Sequence, residues 1–298
     1  MVSIKKEIAI IGVGLMGGSL GLALKSRRAP YRIIGIGRDS KKLNEALKLG
    51  VCDQAYTNLK RGLKNADIVA ACTPVDQVAV VLRQSLPHVK PGCILTDVGS
   101  VKGKIVSEMV RLCERPGARK SKLHFIGGHP LAGSEKTGAA NALPGLYQGA
   151  TMVLCPAPLA GNKQALNELI RIWSLVGAQC LCLDPLIHDV LVAQTSHLPH
   201  VLASLLVKLI GRLTRQDPRT PQLLAGSFRD MTRIAGSDPN QWSQISSMNQ
   251  SFLIGALKAY RDLISRAIEN AEKSSNSVQV WQELFGSAQS ERVKMLKI

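Results

Sequence analysis

A glycine-rich turn near the start of the chain restricts the fold more than any other feature of the sequence. Residues 7–11 form a short apolar run, GVGLMG follows from residue 12, and an apolar helical pattern continues over 20–24. A G-x-G-x-x-G pattern is specific when it lies in this way between a strand and a helix. Gly12 permits the tight turn, Gly14 lets the backbone approach a pyrophosphate, and Gly17 lets the helix pack on the sheet. The residues predicted to bind a dinucleotide here are Gly12, Gly14, Leu15, Met16 and Gly17.

Strand and helix patterns alternate through the rest of the first half. Alternation of this kind predicts a parallel sheet with crossover helices, so we expect an α/β, Rossmann-type domain over residues 1–184. The predicted strands after the first are 31–36, 67–72, 93–98, 123–127, 151–155 and 178–183. The predicted helices between them include 40–49, 75–86 and 162–176.

The end of the second predicted strand bears on the choice of cofactor. In dinucleotide-binding domains, an acidic residue at this point bonds the ribose hydroxyls of NAD. Here Gly37 takes that place and Arg38 follows it. An arginine can grip a 2′-phosphate through its planar fork, so we predict that NADP is preferred. Asp39 keeps NAD possible, because strand ends read from a sequence are uncertain by a few residues.

Polar side chains follow two of the later strands. Ligands of open α/β sheets bind at the carboxyl ends of strands, so Thr73 and Pro74 are predicted to contact the cofactor. Ser100 follows the next predicted strand and is predicted to contact the cofactor as well. It can be the N-cap of a helix, bond a catalytic histidine, or do both.

The loop after the fifth predicted strand supplies groups for proton transfer. Pro130 biases His129 toward an extended backbone, so this histidine is predicted to end a strand. Histidine accepts and releases protons near neutral pH. A hydroxyl, a carboxylate and an ammonium follow at Ser134, Glu135 and Lys136. A polar connector without a chemical role is the alternative, and the neighbouring strand ends favour a catalytic site.

The strand pattern stops in the second half of the chain. Apolar residues recur at helical spacing over 186–213, 221–234 and 242–272, which predicts an all-helical domain over residues 185–298. Long apolar helices often form a dimer interface, so we expect a homodimer through this half.

Two polar segments interrupt these helical patterns. Pro199 predicts a kink between His197 and His200, which are spaced to share one face. No third ligand lies nearby in the sequence, so a zinc site is not expected. In the second segment Arg233 lies beside apolar residues, and an arginine that enters a pocket can clamp a carboxylate.

The net charge of +17 is carried mostly by the first half, where 25 of the 38 lysine and arginine residues precede residue 185. Such a field attracts a polyanionic cofactor and an anionic substrate. It would also attract nucleic acid, but the basic stretch 111–122 contains Pro116 and Gly117 and has no aromatic residue. Since no nucleic-acid-binding motif occurs elsewhere, no nucleic-acid partner is expected.

Composition also bears on location. The sequence has no run of eighteen apolar residues and no secretory signal, so we expect a cytoplasmic protein without a membrane span. The seven cysteines are scattered through apolar segments, which predicts buried, reduced thiols rather than a disulfide framework.

Five segments of the sequence together form a family pattern. They are GVGLMGGSL at 12–20, DVGSVK at 97–102, GGHPLAGSEKTG at 127–138, SHLPH at 196–200, and DMTRIA at 230–235 followed by SDPNQW at 237–242. In this order, and over nearly the whole chain, they resemble the prephenate/arogenate dehydrogenases of tyrosine biosynthesis. The resemblance implies NAD(P)-dependent oxidative decarboxylation of a cyclohexadienyl acid, a nucleotide-binding domain and a helical domain that dimerises.

The resemblance also implies roles for individual residues. His129 would take the proton from the ring C4 hydroxyl as hydride leaves C4, and Ser100 would orient that histidine or the hydroxyl. Arg233 and His200 would hold the side-chain carboxylate. The other residues expected to line the pocket are His197, Ser134, Glu135, Asp230 and Trp242. The choice between prephenate, with a keto group, and arogenate, with an amine, stays open.

Two other functions remain as alternatives. A β-hydroxyacid dehydrogenase would share the glycine-rich turn, but its catalytic lysine lies in a helical domain, and the helical half here lacks that motif. A non-catalytic dinucleotide sensor is the second alternative, because a fold alone does not fix a function. Substitution of His129 separates them, since an enzyme loses turnover whereas a sensor keeps its ligand response.

Overall fold

The computed structural model describes residues 6–115, 122–134, 136–156 and 163–296. The chain forms two compact units, residues 1–249 and 250–298. The strands of the first unit are β1 (Lys6–Ile11), β2 (Tyr31–Ile36), β3 (Gln54–Tyr56), β4 (Ile68–Ala71), β5 (Ile94–Asp97), β6 (His124–Pro130), β7 (Thr151–Pro156) and β8 (Gln179–Cys182).

Helices follow or separate these strands. Those of the first unit are α1 (Leu15–Ser26), α2 (Ser40–Lys48), α3 (Leu59–Leu63), α4 (Val78–Ser85), α5 (Gly103–Cys113), α6 (Lys163–Leu175), α7 (Pro185–Val192), α8 (Leu198–Gln216), α9 (Gly226–Thr232) and α10 (Pro239–Met248). The second unit contains α11 (Gln250–Lys273) and α12 (Ser277–Leu296). Short 3₁₀ helices lie at Val75–Gln77, Leu86–His88, Ala139–Asn141, Thr220–Leu223 and Arg233–Gly236.

The described strands form one sheet in the order β3-β2-β1-β4-β5-β6-β7-β8. The predicted Rossmann-type sheet is confirmed as a mostly parallel one, since β7 runs antiparallel to β6 and His129 pairs with Val153. A parallel neighbour needs a crossover connection, usually a helix, and among the described residues of 131–134 and 136–150 the one helical element is the short 3₁₀ turn Ala139–Asn141. The strand order reverses between β1 and β4, so the carboxyl ends of these strands flank a crevice where a ligand can bind.

Helices cover both faces of the sheet. Side chains of α1, α2 and α6 pack on one face, and side chains of α3, α4 and α5 pack on the other. The central strand β4 is therefore apolar along its whole length, as parallel strands covered on both faces usually are. This packing fixes the strand ends that carry the site.

The first long helical pattern of the second half is one continuous helical segment. α7 begins at Pro185 with the Asp184 carboxylate accepting from two amides of its first turn, and a π-helical turn, Ala193–His197, joins α7 to α8. The predicted interruption thus lies just before Pro199. π-turns within helices often occur at functional sites. The predicted domain boundary at residue 184 stays a prediction.

The segment Pro185–Gln216 is also long and apolar enough to cross a membrane, judged by length and composition alone. This is weak support for a membrane span, because a helix covered by other protein passes the same test. Only 22% of its most apolar window is buried within the chain. The absence of a membrane span and the cytoplasmic location therefore stay predictions.

All seven cysteines are free thiols, as expected. Cys52, Cys93, Cys113 and Cys155 are buried, and burial raises the pKa of each of these thiols. Cys182 is exposed because it lies on the edge strand β8. This exposure differs from the prediction of buried thiols.

Candidate active site

The glycine-rich turn has the shape that the sequence predicts. Gly12 has φ +95°, and a Cβ atom there would lie 2.5 Å from the carbonyl oxygen of Cys72. A Cβ on Gly17 would overlap the carbonyl oxygen of Gly12. At Gly14, in contrast, no atom lies within 4 Å of the place of a Cβ. The first amides of α1 receive no side-chain cap, so the helix presents free donors beside an open space that suits a pyrophosphate.

The segment 139–149 braces this turn from the other side. The backbone amide of Leu143 donates to Ser19 Oγ at 2.9 Å, and Tyr147 Oη donates to the carbonyl oxygen of Met16 at 2.6 Å. The Tyr147 ring packs edge-on against Trp173 with 5.0 Å between centroids. The turn is therefore held in place before any ligand enters.

A cavity of about 410 Å³ opens beside the turn, at the carboxyl ends of the strands. Its lining includes these residues that the sequence predicts: Gly14, Leu15, Met16, Thr73, Pro74, Ser100, His129 and Ser134. Thr73 Oγ1 is buried without a hydrogen-bond partner among the described residues, which leaves it available to a ligand. Asn240, Gln241 and Gln244 of α10 also line this cavity, and they were not among the predicted site residues.

The end of β2 presents positive charge to solvent. Arg38 is exposed, and Lys41 and Lys42 follow it in the first turn of α2. Asp39 is the N-cap of α2, where its carboxylate accepts from the amides of Lys41 at 2.8 Å and Lys42 at 3.3 Å. The carboxylate that kept NAD possible therefore already has partners, and Gly37 offers no acceptor side chain.

His129 is the first member of a hydrogen-bonded chain that the sequence analysis missed. Its Nδ1 lies 2.8 Å from His188 Nε2, and His188 Nδ1 lies 2.8 Å from Asp189 Oδ1. The Asp189 carboxylate also accepts from the amides of Lys102 at 2.7 Å and Gly103 at 2.8 Å. These two amides begin α5. His188 and Asp189 are both buried.

The interpretation of Ser100 as a helix N-cap is wrong. α5 begins at Gly103 with Lys102 as its N-cap residue, and the amides at this end are satisfied by Asp189 from α7. Ser100 instead lines the cavity with His129.

A buried ion pair lies beneath His129. The side chains of Lys102 and Asp97 pair directly and are fully buried. Lys102 Nζ also donates to the carbonyl oxygen of Gly128 at 2.7 Å, and the amide of Gly128 donates to Asp97 Oδ1 at 3.0 Å. The pair thus holds both polar groups of the residue before His129. A lysine five residues after an aspartate at a strand end was the available signal, but no sequence rule required them to meet.

The surroundings of His129 keep its imidazole neutral. Burial lowers the pKa of His129 well below its ordinary value of 6.5, and electrostatic interactions with His188, Lys102 and His197 lower that pKa further. At neutral pH the ring is therefore in the form that can accept a proton.

A second cluster forms around Trp242. His200 stacks on the indole with ring centroids 3.3 Å apart, and His197 meets it edge-on at 6.0 Å. The two histidines therefore share a face, as their spacing predicts. Burial is the main cause that lowers the pKa of each to about 4, and the positive charge of Arg233 contributes to the lowering at His200. Both are therefore neutral hydrogen-bonding groups at neutral pH.

His200 and Trp242 line a smaller pocket of about 280 Å³. Ile234 and Ala235, which follow Arg233 in its 3₁₀ helix, also line it. Arg233 and Asp230 themselves are exposed and do not line the larger cavity. Glu135 lies outside the described residues. The substrate-binding roles given to these side chains stay predictions, and among the described residues no cluster of His, Cys, Asp or Glu could hold a metal ion.

Two family models match the chain. "Prephenate dehydrogenase, nucleotide-binding domain" matches residues 20–182, and "Prephenate dehydrogenase, dimerization domain" matches residues 184–284. Together they cover most of the sequence.

Individual proteins agree with these matches. Prephenate dehydrogenase of Bacillus subtilis is 36% identical over 256 residues, which cover 85% of this chain and 67% of that protein. The structure of prephenate dehydrogenase from Aquifex aeolicus, in complex with hydroxyphenyl propionate and NAD+, has a TM-score of 0.85 at 27% identity and covers 98% of both chains. The structure of Synechocystis arogenate dehydrogenase has a TM-score of 0.80 at 29% identity, covering 98% of this chain and 99% of that one.

Proposed function

The chain belongs to the prephenate dehydrogenase family, and we propose that it performs the family reaction with His129 as the base and NADP as the preferred cofactor. The reaction is the NAD(P)-dependent oxidative decarboxylation of prephenate or arogenate in tyrosine biosynthesis. The observation that carries the role of His129 is its place in the larger cavity, beside the glycine-rich turn, as a neutral imidazole.

The reaction needs only a few groups from the protein. Loss of carbon dioxide leaves an aromatic ring, so the site needs a hydride acceptor, a base and groups that hold the substrate. The nicotinamide supplies the hydride acceptor when it is bound. His129 takes the C4 hydroxyl proton and can return it to the phenolic oxygen once the carboxylate has left, which balances the proton. Ser100, in the same cavity, orients His129 or the hydroxyl.

The substrate side chain ends in a carboxylate that needs donors. We assign this role to Arg233 and His200, with His197 and Trp242 shaping the pocket around them. His200 is neutral, so it contributes a hydrogen bond, whereas Arg233 contributes charge and a planar fork. Arg233 lies near enough to His200 for its positive charge to lower the pKa of that imidazole.

The direct test measures reduction of the cofactor in four mixtures, which cross prephenate and arogenate with NAD and NADP. We expect turnover in at least one mixture, with a higher kcat/KM for NADP than for NAD. The same four rates would fix the substrate, which the structure leaves open between the two acids. Absence of turnover in all four mixtures, with folded protein that binds a dinucleotide, would contradict the proposed reaction and favour a dinucleotide sensor.

The preference for NADP is supported by the end of β2. The exposed cations Arg38, Lys41 and Lys42 lie together there, while Gly37 supplies no carboxylate and Asp39 caps α2. A 2′-phosphate would meet positive charge at this point. The carboxylate that remains for a ribose 2′-hydroxyl is that of Asp39, one oxygen of which already accepts from the amides of α2.

Arg38→Asp is expected to reverse this balance. The change removes a charged fork and adds a carboxylate that repels the 2′-phosphate, so the ratio of kcat/KM for NADP to that for NAD should fall by about 10-fold to 100-fold. Lys48→Asp, at the other end of α2, makes the same change in net charge and serves as the control. An unchanged ratio in Arg38→Asp, or an equal fall in both variants, would remove Arg38 from the cofactor site.

A homodimer through the helical half is the proposed assembly. The match to a dimerization domain over 184–284 supports it. So do the apolar side chains that α8 leaves exposed within one chain, among them Leu205, Leu209 and Leu213.

A further inference from the structure

We propose that His188 and Asp189 are positioning residues that fix the tautomer of His129, with its proton on Nδ1 and the lone pair of Nε2 directed at the substrate. This inference deepens the proposed function, because it concerns the residue that serves there as the base. It rests on the order of donors and acceptors along three hydrogen-bonded side chains, of which His188 and Asp189 are buried.

The order is set at Asp189. An ionised carboxylate can only accept hydrogen bonds, and Asp189 Oδ1 lies 2.8 Å from His188 Nδ1. His188 Nδ1 must therefore carry a proton, and in the uncharged form of the ring that is its only proton. Its Nε2 is left with a lone pair.

The same argument applies to the imidazole of His129. His188 Nε2 lies 2.8 Å from His129 Nδ1, and a bare Nε2 can only accept. His129 Nδ1 therefore carries the proton, and Nε2 is the nitrogen left free to accept one from a substrate. The reverse tautomer would place a donor at Nε2 and could not act as a base.

Asp189 is itself held so that it cannot rotate away. Its two oxygens accept from the amides of Lys102 and Gly103 at the start of α5, an eleven-residue helix whose N-terminus favours a negative charge. Its backbone carbonyl accepts from Asn249 Nδ2 at 2.9 Å. With His188 fully buried and Asp189 3% exposed, no bulk water competes for these bonds.

The hydrogen bonds between His129, His188 and Asp189 also stabilise the protonated form of the base. When His129 accepts a proton, its Nδ1–H still donates to His188, and the charge of Asp189 lies one ring away. The other charged and titratable groups that face His129 are Lys102 and His197. Lys102 is paired with Asp97, so Asp189 is the carboxylate left to favour the imidazolium.

Two amide variants of His188 test the proposal. His188→Gln can place an amide oxygen near the site of Nε2, where it accepts from His129 Nδ1–H. His188→Asn is shorter, so its amide can meet Asp189 but cannot reach His129. We expect kcat of the Gln variant within about 10-fold of the parent and kcat of the Asn variant at least about 100-fold lower, with equal cofactor affinity in both. Equal kcat in the two variants would overturn the proposal.

A second measurement does not depend on turnover. In protein labelled with ¹⁵N-histidine, without ligands, the two ring nitrogens of His129 are assigned by their loss in His129→Asn. We expect the chemical shift of a protonated nitrogen at Nδ1 and of a bare nitrogen at Nε2, and a mixed or reversed pattern in His188→Asn. Protonated Nε2 in the parent protein would overturn the inference, whether or not the proposed reaction is found.

Discussion

His129→Asn is expected to lower kcat by at least about 100-fold while the affinity for NADP stays unchanged. The neutral imidazole is the proton acceptor proposed for the cavity, and an amide cannot replace it at neutral pH. The glycine-rich turn, which we expect to bind the dinucleotide, is braced by other residues and stays intact. The measurements are steady-state turnover with the preferred acid and cofactor titration followed by fluorescence.

The control for this variant is His88→Asn, which makes the same substitution in the 3₁₀ helix before β5. That residue does not line the cavity, so the kcat of His88→Asn should match that of the parent.

The parent enzyme should also show kcat/KM that stays flat as the pH falls through 6.5 and drops only below it. Burial lowers the pKa of His129, so the neutral form that accepts a proton persists to lower pH. The acidic limb of the kcat/KM profile therefore lies below 6.5. An acidic limb above pH 6.5, or more than a tenth of parental kcat in His129→Asn, would contradict the assignment.

Arg233→Ala is expected to raise KM for the acid strongly and to reduce kcat/KM by about 30-fold to 1,000-fold, which corresponds to about 2–4 kcal/mol. The reason is that a carboxylate bound in the smaller pocket would lose its charged partner, while the neutral His200 can offer only a hydrogen bond. kcat should change much less than KM, because the side chain lies apart from the cavity that contains His129.

Arg233→Lys and Arg219→Ala complete this experiment. Lysine keeps the charge but loses the planar fork, so its KM should lie between those of the parent and Arg233→Ala. Arg219 is exposed and paired with Asp217 at 2.7 Å, so its removal tests the loss of one surface arginine. A KM for Arg233→Ala within about threefold of both the parent and the Arg219→Ala control would contradict the role of Arg233 in binding the substrate carboxylate.

Features set by local pattern could be predicted from the sequence. β2 has the predicted bounds, Tyr31–Ile36, because a mostly apolar run ends there before Gly37. β3, Gln54–Tyr56, was missed because three half-buried residues show no alternation. α5 was not placed because its start has no capping residue in its own sequence. The cap is Asp189, 86 residues farther along the chain from Gly103.

The residues of the candidate site also fall into those that a local sequence pattern reveals and those that it does not. His129, Ser100 and the glycine-rich turn could be found because their chemistry shows in short motifs at strand ends. His188 could not be found, since it lies in an apolar helical pattern and meets His129 across 59 residues of sequence. The burial of Lys102 against Asp97 could not be predicted either, because it follows from the sheet and not from the local sequence. Contacts between distant segments need the fold before they can be read.

The bond between Asp189 and the start of α5 also bears on how such proteins can change by recombination. A nucleotide-binding segment that ended at residue 184 would keep its glycine-rich turn and the strand end of His129, but it would lack the carboxylate that sets the protonation of that histidine. A helical half exchanged from a relative must therefore bring more than a matching surface. It must place a histidine and an aspartate, adjacent in sequence, against the same two amides, so that the graft inherits a working base together with a new substrate pocket.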